Sequence, residues 1–309
     1  MRGRSFAAGA VAVAGLASGV AAVALASTVG PPHLPSAPRC PVFPKTNVWN
    51  RRVDSLPVAS DSAQMIDAIG AGVGLHPDFG SFRGYGIPYN VVKGSQPTVR
   101  VRFHYASQSD KGPYPIPAHP AIEAGSDRHL LIVNRSTCRL YELYDARHTA
   151  SGWTGGSGAI WNLRSNKLRP RGWTSADAAG LPILPGLVRY SEVRRGVINH
   201  ALRFTVPDTC AGFIYPARHE AGSGGCGALP PMGLRVRLRS GFKVSQLAPQ
   251  ARPIAVALKR YGMIVADNGS PWYITGAANP HWNDDQLHTL DLITGSDLRV
   301  VDTRGLRNG

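Results

Sequence analysis

Two stretches of the chain alternate apolar and cationic side chains with a period of two. In Thr98–Tyr105, Val99, Val101 and Phe103 face one way and Arg100, Arg102 and His104 the other. In Gly233–Arg239, Leu234, Val236 and Leu238 oppose Arg235, Arg237 and Arg239. Successive side chains of a strand point to opposite faces, so each stretch predicts a strand with one apolar and one basic face. Short apolar runs bounded by Gly and Pro predict further strands at 129–134, 138–144, 158–163, 197–206, 212–216, 263–267, 272–276 and 298–302. Asn268-Gly269, between the runs at 263–267 and 272–276, is a hairpin signal. Three segments carry a helical period. The first, 61–71, has Asp61 as N-cap and Met65, Ile66 and Ile69 on one face; the second, 249–261, has a stripe of Ile254, Leu258 and Tyr261 and stops at Gly262; the third, 284–291, opens on Asp284 and Asp285. No linker breaks the pattern from 45 onward. The expected fold is mainly β with a few short helices: a single-domain β-sandwich or jelly-roll-like sheet pair over residues 45–309.

The first 26 residues depart from this pattern. Arg2 and Arg4 precede an uncharged run from Phe6 to Ala26 that ends in Ala24-Leu25-Ala26, an A-x-A cleavage signal. Residues 1–26 are therefore expected to be a signal peptide cut before Ser27, with an uncleaved membrane anchor as the alternative, since the run is long enough to span a bilayer. Residues 27–44 carry Pro31, Pro32, Pro35, Pro38, Pro41 and Pro44 and read as an extended linker or arm. The implied localisation is secreted, extracellular or cell envelope. A membrane is a partner only if the N-terminal segment stays uncleaved. The cysteines are Cys40, Cys138, Cys210 and Cys226. An even number behind an export signal implies disulfides. Of the three pairings, Cys40–Cys138 with Cys210–Cys226 is favoured, the second closing a short Gly-rich loop. The spacings fit no zinc pattern, and no metal site is expected.

Charge changes the picture from fold to partner. The formal net charge is +15, which in an exported protein suggests polyanionic surroundings. If the two alternating strands were neighbours, Arg100, Arg102, Arg235 and Arg237 would merge into one cationic surface. The expected partner is a polysaccharide or an anionic cell-wall polymer; no nucleic acid is expected. The chain carries no P-loop, dinucleotide fingerprint or G-x-S-x-G, so no cofactor is expected and serine chemistry has thin support.

Histidine suits proton transfer near neutral pH. His129 and His200 each open a candidate strand, and Arg203 and His219 lie in similar polar contexts. A His beside an Arg fits removal of a proton next to a carboxylate, the logic of a polysaccharide lyase. A glycoside hydrolase would instead use two carboxylates across a groove. Acids are few, and Asp177, in Trp173-Thr174-Ser175-Ala176-Asp177, is the candidate catalytic one, although Thr174 and Asp177 also make a capping-box-like turn. Asp127 and Glu142 are further acids of the folded region, and Asp267 is more simply a turn residue beside Asn268-Gly269. Trp173 is a candidate sugar platform, since aromatic faces bind sugar rings. Together these residues lead to a secreted polysaccharide hydrolase or lyase acting on an envelope or environmental, possibly acidic, polymer. The competing reading is a non-catalytic wall-binding or structural envelope protein.

The stretches Leu130–Asp145, Asn166–Arg189, His200–Pro207 (HALRFTVP), Pro230–Leu238 (PPMGLRVRL) and Tyr261–Ser270 (YGMIVADNGS) resemble a group of secreted bacterial proteins of actinobacterial type with no established activity. The resemblance covers most of residues 40–302. It implies secretion and a single domain and transfers no mechanism. It also implies that the Cys210–Cys226 pair is a local addition, because related chains often lack both cysteines.

Overall fold

The computed structural model describes Met1, residues 30–82 and residues 84–306. Apart from Met1, the expected leader over residues 1–26 and its cleavage point therefore lie outside the described residues. No helix among the described residues is long and apolar enough to cross a membrane. The strands are β1 (His33–Leu34), β2 (Ala37–Pro41), β3 (His76–Asp78), β4 (Tyr89–Val92), β5 (Val101–Phe103), β6 (Leu130–Asn134), β7 (Arg139–Tyr144), β8 (Arg147–Thr149), β9 (Gly152–Gly155) and β10 (Ser157–Asn162), followed by β11 (Leu202–Val206), β12 (Arg235–Leu238), β13 (Met263–Asn268), β14 (Tyr273–Thr275) and β15 (Leu298–Val300). The α-helices are α1 (Ser62–Ile69), α2 (Tyr190–Arg194), α3 (Ala251–Arg260) and α4 (Asp284–His288). The chain is mainly β with short helices, as its pattern predicts. Among the described residues the strands form a six-stranded sheet ordered β15-β12-β13-β11-β14-β3, a four-stranded sheet β10-β7-β6-β4, a three-stranded sheet β5-β9-β8 and the pair β1-β2.

The four-stranded sheet separates two cores. Leu131 and Val133 of β6 point into the main core with Leu140 and Trp161. Leu130 and Ile132, on the other face, join Leu143, Val101 and Tyr114 in a smaller one. Both faces of β6 are therefore dry, which is why Leu130 to Val133 reads as a continuous apolar run rather than an alternation. The main core continues across the six-stranded sheet to α3, which buries Ile254 and Leu258. Gly262 ends that helix at φ +66°, where a Cβ would lie 2.2 Å from the Val236 carbonyl. Both disulfides form as expected, Cys40–Cys138 and Cys210–Cys226, and such bonds persist in an oxidising environment. Cys40–Cys138 closes 98 residues, a loop for which chain entropy gives about 4.7 kcal/mol.

The structure corrects three expectations. The Asn268-Gly269 hairpin does not form: β11 lies between β13 and β14, parallel to the first and antiparallel to the second. The Gly269 amide instead donates to the Val206 carbonyl of β11. The Pro-rich arm is part of the fold from His33, because Leu34, Ala37, Val42 and Phe43 are buried in the main core and Cys40 is bonded to Cys138. The two basic strands do not merge. β5 and β12 belong to different sheets. On β5 the alternation holds, with Val101 buried and Arg100 and Arg102 exposed. On β12 both faces are covered, and Arg235 is 1% exposed.

The reason is hydrogen bonding. Arg235 Nε donates 2.9 Å to the Tyr261 carbonyl at the end of α3, Nη1 2.8 Å to the Val48 carbonyl and Nη2 2.9 Å to the Arg51 carbonyl. These are carbonyls at helix and turn ends, where backbone acceptors are under-used and a buried cation can satisfy them. Burial pulls the Arg235 guanidinium below its ordinary value, to about 9, still charged at neutral pH. Arg237 donates to the Val53 and Leu56 carbonyls. Both arginines thus tie the 48–56 segment to β12, and Arg235 is too deeply buried to meet a polymer. Arg235→Gln strands buried carbonyls and is expected to cost about 3 kcal/mol in denaturant unfolding. A change below about 0.5 kcal/mol, the range of an ordinary surface substitution, would show that Arg235 does not hold this junction.

Candidate functional site

The loop 174–181 gathers most of the side chains that the sequence singles out. Asp177, with 1% exposure, receives two hydrogen bonds from Arg203 of β11: Nη2 to Oδ1 at 2.8 Å and Nε to Oδ2 at 3.1 Å. The remaining guanidinium nitrogen donates to the Thr275 hydroxyl of β14. Burial disfavours the Arg203 charge, but Asp177 overrides it and raises the guanidinium above its ordinary value. His129, 4% exposed, donates through Nε2 to the Ala176 carbonyl at 3.0 Å and through Nδ1 to Glu123 Oε2 at 2.6 Å. Both ring nitrogens face acceptors. Burial opposes the imidazolium, yet the bond and charge of Glu123 prevail and raise the His129 pKa. Gly180 turns the loop at φ +67°, and a Cβ there would meet the Trp173 carbonyl at 2.4 Å.

Further anchors come from all sides. Ser157 Oγ donates to the Ser175 carbonyl, Arg169 Nε to the Thr174 carbonyl and His219 Nδ1 to the Ala178 carbonyl. Arg169 in turn sits over the rings of Trp161 and Trp173, 5.6 and 5.4 Å from their centroids. Trp173 is thus half-buried against a cation beside the loop.

This pinned loop is the floor of a cleft of about 420 Å³. Its walls come from separate segments: Tyr105 after β5, Asp127 before β6, Tyr144 at the end of β7, His219 and Asp267. Asp267 owes its place to an irregularity in β13. Phe204 pairs with Val265 and Thr205 with Asp267, so Ala266 is an extra residue, a bulge of the kind that re-aims side chains. The freed Ala266 carbonyl accepts from the Ala179 amide of the loop. The Asp267 carboxyl accepts one hydrogen bond among the described residues, from the Asn268 amide to Oδ1 at 2.8 Å. Burial, and then the charge of Asp177, pushes the Asp267 pKa up to about 7. On the other wall His219 is half-buried. With Nδ1 committed to the Ala178 carbonyl, Nε2 is the ring nitrogen without a hydrogen-bond partner among the described residues.

Of the candidate catalytic residues, His129, Arg203, His219 and Asp177 therefore meet at one loop, but only His219 presents a half-exposed side chain to the cleft. His129, Arg203 and Asp177 are buried anchors. His200 is elsewhere, 1% exposed, with Nε2 donating 3.1 Å to Glu192, which also takes an Arg189 bond of 2.8 Å. Burial works against the Glu192 charge, but Arg189 and His200 hold its carboxyl down at about 2. His200 is corrected to a structural residue of this ion cluster. Glu142 is fully buried and takes the Ile183, Leu184 and Trp161 N–H groups, capping the turn that follows the loop. Asp127, Asp267, Tyr105 and Tyr144 are the cleft residues that sequence reasoning left without a role. Among the described residues no cluster of three or more His, Cys, Asp or Glu could hold a metal ion.

No family model, curated protein or solved structure matches the chain. The class of protein is therefore read from the cleft itself.

Arg203→Met would leave the Asp177 carboxylate buried without its partner. It is expected to destabilise by about 3–5 kcal/mol, and the double variant R203M/D177L to recover most of that loss. Equilibrium unfolding of the two proteins checks this. A single variant as stable as wild type would remove the ion pair as the anchor of the loop.

Proposed function

We propose that the protein is an exported carbohydrate-active enzyme that hydrolyses glycosidic bonds in the cleft floored by the 174–181 loop. The observation that carries the reading is Asp267: a carboxyl on the cleft wall, raised to about 7 by burial and by Asp177, with an exposed carboxylate, Asp127, on the same cleft. One acid that keeps its proton near neutrality and a second acid open to water are the two groups glycoside hydrolysis requires. In this reading Asp267 gives its proton to the glycosidic oxygen as the bond to the anomeric carbon breaks. Asp127 takes a proton from the water that attacks that carbon. Tyr105 and Tyr144 offer ring faces and hydroxyls to the sugar, and His219 Nε2 accepts a sugar hydroxyl. A lyase is less well supported, because among the described residues the cleft is lined by no Arg or Lys to neutralise a uronate and each guanidinium nitrogen of Arg203 is bonded to Asp177 or Thr275. Export is supported by the two disulfides and by the leader-like sequence.

The non-catalytic alternative uses the same cleft, and one variant separates the two. Asp267→Asn is expected to leave glycan binding within about twofold and to reduce turnover about 10²–10⁴-fold, with the wild-type rate falling above the raised pKa. The sign of the stability effect is a second readout. The folded pKa, about 7, lies above the unfolded value near 4. The native state therefore keeps a proton that the unfolded chain releases between those values. Stability from this group is full below about pH 4 and is lost as pH rises to 7. Asp267→Asn should therefore raise the melting temperature at pH 8 relative to wild type, with little change at pH 4. Turnover unaffected by the substitution would sink the catalytic assignment, and a lower melting temperature at pH 8 would show that the carboxylate is native-state favourable.

A further inference from the structure

A second cavity, of about 600 Å³, lies away from the cleft and is lined by Arg39, Lys93 and Arg135 with Ser95 and Ser136. Among the described residues no acidic side chain lines it. The three cations are exposed, and their side chains form no hydrogen bond or salt bridge among the described residues. Their charges are therefore available to an anionic ligand, in contrast to the buried Arg169, Arg203 and Arg235, which are engaged within the fold.

The walls are held in place by covalent and hydrogen-bonded structure. Arg39 precedes Cys40, and Arg135 lies in the β6–β7 turn that leads to Cys138, so the disulfide clamps one wall to the other. The turn is fixed by Asn134 Oδ1, which accepts the Ser136 and Thr137 amides at 3.0 and 3.2 Å. Ser136 Oγ accepts the Gly94 amide at 2.9 Å, and the Arg135 amide donates 3.0 Å to the Val92 carbonyl, which ties the Lys93 turn to the same wall. Like charges held close together by rigid structure repel one another, and a bound anion relieves that repulsion.

We infer that this pocket binds an oxyanion carried by the glycan whose sugars occupy the cleft. The inference rests on the proposed hydrolase reading for the glycan and on the pocket for the anion. The two sites lie at opposite ends of the β6–β7 hairpin: Arg135 is in its turn, whereas Asp127 precedes β6 and Tyr144 ends β7. β7 has six residues, so the ends are roughly 17 Å apart at a strand rise of about 3.3 Å. A polymer can span that length where a monosaccharide cannot. Electrostatics divides the work. The cleft carries Asp127, Asp177 and Asp267 and, among the described residues, no lining Arg or Lys, so it suits neutral sugars, and the distant pocket suits the acidic group. The substrate class is a mixed glycan, with neutral sugars interrupted by a phosphodiester or a uronate carboxylate.

The test measures retention of the full protein on immobilised polyglycerol phosphate, polygalacturonate and a neutral glucan. Wild type should bind one or both anionic polymers, with the stronger of the two identifying the oxyanion. Binding should weaken between 0.01 and 0.15 M salt as the Debye length shortens from about 30 to about 8 Å. The triple variant R39Q/K93Q/R135Q changes only exposed side chains, so it is expected to fold. It should lose about tenfold in affinity, the summed effect of modest exposed charge pairs. The double variant R100Q/R102Q on β5 should bind as wild type does, and so should D267N even if turnover is found on no glycan, which separates this inference from the catalytic one. Undiminished binding by the triple variant, loss in the β5 variant instead, or equal retention on the neutral glucan would overturn it. Stronger retention on duplex DNA than on either polymer would reassign the pocket to another class of partner.

Discussion

The ion pair between Arg203 and Asp177 is the constraint on which the cleft depends. It joins β11, in the middle of the six-stranded sheet, to a loop that has no regular structure of its own. Neither partner has water to fall back on, since their side chains are 5% and 0% exposed. Desolvating two charges is expensive, and only a bidentate geometry with every remaining donor satisfied offsets it. Arg203 approaches that condition, since Thr275 takes the one guanidinium nitrogen that Asp177 leaves. The same pair also sets the chemistry above it. The fixed negative charge of Asp177 adds to burial in keeping Asp267 protonated, so one interaction both shapes the floor and tunes the wall.

The other contacts of the loop follow a common logic. A segment with Ala176, Ala178, Ala179 and Gly180 has little side-chain mass with which to anchor itself. Its carbonyls are held instead by donors reaching in from elsewhere: His129, Arg169, Ser157 and His219. Buried polar networks of this kind are stable only when fully satisfied, and then they are rigid. A rigid floor keeps the side chains around the cleft in register without help from a bound ligand.

The sequence made nine of the strands, the β-rich class and both disulfides legible, because alternation, turn residues and cysteine spacing act locally; β1 to β4, β8 and β9 lack that alternation and are not predicted, and the strand expected at 212–216 does not form. What it hid was which faces would be covered. Arg235 and Arg102 occupy identical alternating patterns, yet one is buried against helix-end carbonyls and the other is in solvent. The difference comes from residues 48–56 packing on β12, a contact some 184 positions away along the chain. The histidines pose the same problem in chemical form. His129, His200 and His219 are equally plausible proton carriers on paper, and the residue types were the right ones to examine. Two of them spend both ring nitrogens on internal acceptors, and only the third keeps one free. The cleft itself draws on segments near 105, 127, 144, 177, 219 and 267, so no window of sequence displays it, and Asp267 read as a turn residue because the bulge that aims it leaves no local mark.

That bulge at Ala266 divides β13 into two stretches that answer to different selective demands. Met263 to Ala266 are wholly buried, and any replacement there must satisfy the packing of the core. Asp267 and Asn268, one step further, line the cleft and touch solvent. The two halves of a single strand can therefore diverge independently. The wall of the cleft can be rewritten while the interior is left as it was, so the surface offered to a ligand can change without rebuilding the fold.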